Sequence, residues 1–162
     1  MSPTAEKAAA AAYSAAAAID RRIPPPTPDR IAAWSALFEG SDMEPQEAVE
    51  AVRQYYRDPS NVYSIMPARV LAAVAELPPH ASEARFRAFI RRWAEYPYSG
   101  QIQRLTGMEW WPTLPLPDGV RGDTAAERAY HVDELKAWVR DNWAEMKSRV
   151  LDSREPRSAT TE

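Results

Sequence analysis

Proline placement constrains this chain more than any other feature. Fifteen of its 162 residues are proline, and they stand between the apolar-periodic runs, not inside them. A proline ring fixes φ, removes an amide donor and pushes the preceding residue toward extended geometry. It therefore suits a helix's first turn and stops a helix elsewhere. Pro24 to Pro26, "DPSN" at 58–61 and Pro78-Pro79 read as stops, whereas Pro28, Pro45 and Pro67 read as first-turn residues.

Between these marks the apolar residues recur at helical spacing. Ile31, Trp34, Leu37 and Phe38 make one face of a helix capped by Thr27 and stopped at Gly40. Val49, Val52, Tyr55 and Tyr56 make the next face, and Val70, Leu71, Val74 and Leu77 the one after it. Ser82 caps a fifth helix with Phe86, Phe89, Ile90 and Trp93 inward, and a short turn or helix covers Ser99 to Leu105. The last helix is predicted to be the longest. Thr124 and Glu127 form its capping box, and Leu135, Trp138, Val139, Trp143, Met146 and Val150 its stripe. Residues 5–22 are helical by their alanine content, yet Tyr13 and Ile19 are the only bulky apolar groups there, so this helix is expected to be loosely docked or free.

No run alternates as a strand does. The reading is all-α: a compact bundle of about five to six helices, a Trp/Pro-rich extended strap and a long C-terminal helix. Its parts are an Ala-rich helix with proline linker (1–26), a helical module (27–107), the strap (108–122), the long helix (123–152) and a disordered tail (153–162). Hydrophobic residues at 45% suffice for a core.

Charge and composition narrow the function. Net charge is −3, which argues against a bulk electrostatic grip on nucleic acid. The one basic region lies between Pro78 and Gly107, where five arginines stand against two glutamates. With no cysteine there is no thiolate nucleophile, disulfide or cysteine-ligated zinc, which fits a reducing cytoplasm. The alanine-rich start is too weakly apolar for a transmembrane span, so a soluble bacterial-cytoplasmic protein is expected. Glycine-flanked nucleophile turns and phosphate-binding loops are absent. His80 and His131 stand far apart, and "HVDE" at 131–134 does not read as a chelating arrangement. The reading is a non-enzyme with no cofactor and no metal.

Two candidate surfaces remain. Arg85, Arg87, Arg91 and Arg92 lie within eight residues, and arginine's planar fork suits phosphate. Trp93, Tyr96 and Tyr98 would then stack on bases, although a solvated arginine face over core aromatics explains the same pattern. The second surface is "TGMEWWPTLPLPDG", residues 106–119. Successive residues of an extended chain alternate sides, so Trp110 and Trp111 point in different directions. Leu114 and Leu116 alternate with prolines, as a strap laying leucines on the protein's own helices requires. The same four residues are the candidate partner-binding set, because tryptophan is enriched where interface energy concentrates.

Residues 30–75, "RIAAWSALFEGSDMEPQEAVEAVRQYYRDPSNVYSIMPARVLAAVA", carry Trp34, Leu37, Ala48, Val52, Tyr55, Tyr56, Pro67 and Val70 in a recognisable order. This segment resembles the N-terminal helical module of phage replicative-helicase loader or inhibitor proteins. The resemblance implies a non-enzymatic adaptor that binds a hexameric DnaB-type replicative helicase and aids or blocks its loading in DNA replication. In that family the partner-binding part is C-terminal and flexible. Here the second half holds five of six tryptophans and a strongly capped helix, a departure that puts the partner surface in doubt. The alternatives are a helical DNA- or RNA-binding protein using the arginines, and an inhibitor of another host complex.

Overall fold

The computed structural model describes residues 2–152. Among them are eight α-helices and no strand. The chain divides after Pro78 into two units, Met1–Pro78 and Pro79–Glu162, each with its own core. The module drawn from sequence at 27–107 is thus shared between two units. The tail at 153–162 lies outside the described residues.

The first unit holds α1 (Pro3–Ile19), α2 (Pro28–Phe38), α3 (Pro45–Arg57) and α4 (Pro67–Ala75). Prolines 3, 28, 45 and 67 each occupy a first turn, where the missing amide has no intrahelical partner to lose. Thr27 caps α2 through its side chain, and Glu44 and Glu47 cap α3 reciprocally.

The alanine-rich helix is not loosely docked. Ala5, Ala8, Ala9, Ala12 and Ala16 are buried, and α1 packs on both α2 and α3. These positions recur at i, i+3, i+4, i+7 and i+11, so the small side chains form one face that lets helix backbones approach closely. Each methyl contributes little hydrophobic burial, but close approach multiplies dispersion contacts. Tyr13 adds the one large anchor. Its ring meets Trp34 edge-on at 5.2 Å, and its hydroxyl donates to the Pro24 carbonyl at 2.9 Å. Two expected inward leucines lie outside: Leu37 is exposed while Ser35 and Phe38 are buried, and Leu77 falls beyond the end of α4.

Asp20, the C-cap of α1, ties the unit together. Its carboxylate accepts from the Arg22 guanidinium at 2.9 Å, the Ser64 hydroxyl at 2.7 Å and the Tyr56 hydroxyl at 3.0 Å. Tyr56 in turn accepts from the Ile65 amide, and Arg22 donates to the Val62 carbonyl. The loop between α3 and α4 is thereby fixed to the end of α1. Hydrogen bonds from Arg22 and Ser64 hold the Asp20 carboxyl well below the usual carboxylate range.

The second unit holds α5 (Glu83–Trp93), α6 (Gln101–Thr106), α7 (Thr124–Asp141) and α8 (Trp143–Leu151). The single long final helix is in fact two. The Asn142 side chain donates to the Trp138 carbonyl at 2.8 Å, and its backbone leaves helical geometry at φ −110° and ψ 12°. A short polar side chain that competes for helix carbonyls breaks the helix here. The stripe still runs through the break, with Leu135 and Val139 buried from α7 and Met146 and Val150 from α8. The cap of α7 is Asp123, not Thr124. Its carboxylate accepts from the Ala125 and Ala126 amides, while Glu127 reaches back to the Gly122 amide. No described helix is long and apolar enough to cross a membrane.

Two outcomes follow. Ala9→Leu, which inserts bulk where α1 is fully buried, will lower stability by about 1–3 kcal/mol in urea unfolding. Acid will also weaken the first unit. The folded chain binds the Asp20 proton more weakly than the unfolded chain, whose aspartate titrates near about 3.9, so acid favours unfolding. That contribution is complete above about pH 5 and drains away below about pH 4. Melting curves of the native chain and Asp20→Asn across pH 3–7 will converge at the acid end.

Candidate functional site

Sequence points to an arginine helix and a tryptophan strap, and both belong to the second unit. On α5 the four arginines do not form one surface. At about 100° per residue, Arg87 and Arg91 fall on one flank and Arg85 and Arg92 on the other. Arg85 is buried, which removes it from any phosphate-binding set and corrects its assignment. Arg87 is held by Glu83 at 3.0 Å, and the Arg92 guanidinium lies over the Trp93 ring at 5.1 Å. The Lys147 ammonium, 2.9 Å from Glu83, lowers that carboxyl and links α5 to α8. Phe86 and Ile90 are core, and Phe89 and Trp93 pack against it. Tyr96 meets Trp93 edge-on and lies under Arg128.

The strap divides its side chains. From Met108 to Thr113 it is neither helix nor strand, with half-buried and exposed residues alternating, it bends at Leu114 and Pro115, whose peptide bond is cis, and it turns over 118–122. Trp110 packs on the second core with its ring centroid 6.3 Å from that of Trp138. Trp111 is 80% exposed and Leu114 75% exposed, while Leu116 is half-buried. The leucines are therefore not both laid on the protein's own helices. Leu114 faces solvent, because the bend at Leu114-Pro115 ends the alternation that would have turned it inward.

Thr113 sets this division. Its amide donates to Glu134 at 3.2 Å, its hydroxyl donates to the other oxygen of the same carboxylate, and its carbonyl accepts from the His131 ring at 3.3 Å. The second ring nitrogen of His131 meets the Tyr98 hydroxyl at 2.7 Å. A carbonyl accepts only, so Nε2 carries a proton, and in the neutral ring Nδ1 accepts from Tyr98. His131 and Glu134 are three apart on α7 and share a face. That spacing was the available signal for the clamp. Weighing the two residues only as metal ligands missed it, since both bind the strap. Among the described residues no three metal-ligating side chains gather.

Beside the clamp lies an apolar pocket of about 620 Å³, between the 97–100 turn, α6 and the strap. Trp110, Trp111 and Tyr98 line it, and Arg104 stands at its edge. Gly100 and Gly107, both with φ near +67°, bracket α6 in left-handed geometry that side chains resist. Its volume lies in the usual range for binding clefts. Of the sequence-chosen set, Trp110, Trp111, Leu114 and Leu116, the pocket gathers the two tryptophans. Tyr98, Gln103 and Arg104 join them from the turn and from α6.

Replacing each tryptophan separates the two roles. Trp110→Ala will cost about 2 kcal/mol, roughly half the loss for a fully buried aromatic. Trp111→Ala will stay within about 0.5 kcal/mol of the native chain. Chemical unfolding of both variants measures the contrast.

No protein-family model, no curated protein and no solved structure matches this chain. What it does has to be read from its own residues.

Proposed function

We propose that this chain is a non-enzymatic, phage-type adaptor that binds a protein partner through Trp111, Leu114 and the pocket beside them. The partner is a hexameric DnaB-type replicative helicase, as the resemblance of residues 30–75 implies, and the outcome is its loading or inhibition in DNA replication. One observation carries the reading. A tryptophan and a leucine, 80% and 75% exposed, flank a threonine that is hydrogen-bonded on its amide, hydroxyl and carbonyl. Exposed apolar side chains on a mobile loop lose ordering entropy when they bind, whereas a clamped strap has already lost it. Trp110 acts as the inner anchor of the surface and Leu116 as its half-buried margin.

The arginine reading is the weaker one, since Arg85 is buried and Arg87 is paired. Salt and nuclease separate the two. The Trp111→Ala/Leu114→Asp double variant will bind purified helicase at least about tenfold more weakly, as loss of an interface anchor predicts. Binding of the native chain will survive nuclease and change little from about 50 to 200 mM salt, whereas phosphate contacts would weaken steeply. Unaltered affinity in the double variant, or binding lost with nuclease, sinks the adaptor reading.

A further inference from the structure

Open acceptors, aromatic walls and one charge of each sign meet in the pocket beside the strap. We infer that it binds a guanine base, held between the strap and the 97–100 turn. This goes beyond the adaptor reading, because a base needs the pocket and no protein partner. The walls come first. A cavity of about 620 Å³ suits a small flat ligand. Trp111 and Tyr98, 80% and 61% exposed, line it, and Trp110 lines it from the core side. Every base has a π-face, and aromatic side chains stack on it. The Tyr98 hydroxyl is bonded to His131, so that wall is set before a base arrives.

Hydrogen-bond accounting selects the base. The Glu109 carboxylate lines the pocket, and among the described residues no donor reaches it. The carbonyls of Tyr98, Glu109 and Trp111 accept nothing among those residues either. An ionised carboxylate only accepts, so the ligand has to bring N–H groups to it. Guanine carries two neighbouring donors on its Watson–Crick edge, N1–H and the N2 amine, which match the two oxygens of one carboxylate. Adenine and cytosine place a ring-nitrogen lone pair beside their amine, where it would face the carboxylate's own lone pairs.

Arg104 selects the second edge. Its guanidinium is held on the turn side of the pocket, donating to the Ser99 carbonyl at 2.9 Å and lying against Gly100, where a Cβ would sit 3.2 Å from it. Among the described residues no carboxylate pairs with Arg104, and that includes Glu109 on the strap side. The planar fork has donors left, and guanine O6 and N7 accept from arginine as a pair. Guanine is neutral, with donors on one edge and acceptors on the other. It therefore answers both charges of the pocket without adding one.

The test titrates the full chain with the 5′-monophosphates of guanosine, inosine and adenosine, followed through the Trp111 indole signal by NMR. The guanosine nucleotide will shift the indole saturably. Inosine, which lacks the N2 amine, and adenosine will bind about tenfold more weakly, as loss of a paired contact to a base edge predicts. Glu109→Gln will erase that preference. The 7-deaza guanosine nucleotide, which lacks N7, will bind more weakly to the native chain but not to Arg104→Gln. Trp111→Ala will abolish the titration while leaving the melting temperature within about 2 °C, since the residue is exposed. A short thymidine strand with one central guanine separates the sources. Tighter binding than the mononucleotide assigns the base to an unpaired strand, equal binding to a free nucleotide, and both uphold the guanine site. No saturable shift at millimolar nucleotide overturns the proposal, as do equal affinities for guanosine and adenosine. A lysine peptide that moves the indole where nucleotides do not would reassign the pocket to a cationic segment. Helicase binding through Trp111 and Leu114 without nucleotide binding sinks this inference and leaves the adaptor reading standing.

Discussion

A chain broken by fifteen prolines must satisfy its backbone polar groups outside helices, and here side-chain carboxylates do much of that work. Asp20 collects Arg22, Tyr56 and Ser64, and through them fixes the carbonyl of Val62 and the amide of Ile65. Glu134 takes both donors of Thr113, Asp123 caps α7, and Asp58 holds Ser60. Such bonds are charge-assisted and stronger than neutral ones. They turn segments that proline keeps from being helical into defined connections, and the tryptophan strap is one of them.

The strap answers to two demands at once. Inward, Trp110 packs beside Trp138 and extends the second core. Outward, Trp111 and Leu114 stay in water. Fixing Thr113 on both its amide and its carbonyl sets the phase of the extended chain, and the phase decides which side chain faces which way. A slip of one residue would bury Trp111 and expose Trp110. The geometry of the surface is therefore as fixed as that of α7, from which His131 and Glu134 reach.

Much of the architecture was legible. Four of the eight helices, α2 to α5, were delimited by proline, caps and apolar spacing, because these act through local sterics. The docking of α1 was not read, although its alanines recur at i, i+3, i+4 and i+7. Alanine was weighed by bulk, whereas its contribution here comes from letting backbones approach. The division of the last helix was missed because the stripe continues through Asn142, and the break depends on one side-chain hydrogen bond. Opposite directions for Trp110 and Trp111 follow from strand geometry. The shared face of His131 and Glu134 on α7 is legible from their spacing, but their partner Thr113 lies 18 and 21 positions away, and no local pattern names it. Arg85 shows the converse limit, since charge alone did not reveal that it is buried.

The strongest remaining apolar surface of the second unit lies on the strap for a physical reason. The stripes of α5, α7 and α8 are spent on the core that joins Phe86, Ile90, Leu135, Met146 and Val150. A helix that gave up part of its stripe to a partner would lose the burial that keeps it folded, because isolated helices of these lengths are marginal in water. The strap has no such obligation. Proline keeps it extended at low entropic cost, and one tryptophan and one threonine suffice to anchor it. Its other side chains are then free to meet a second molecule without cost to the core. A recognition surface on this segment can change in sequence while the helices beneath it stay as they are.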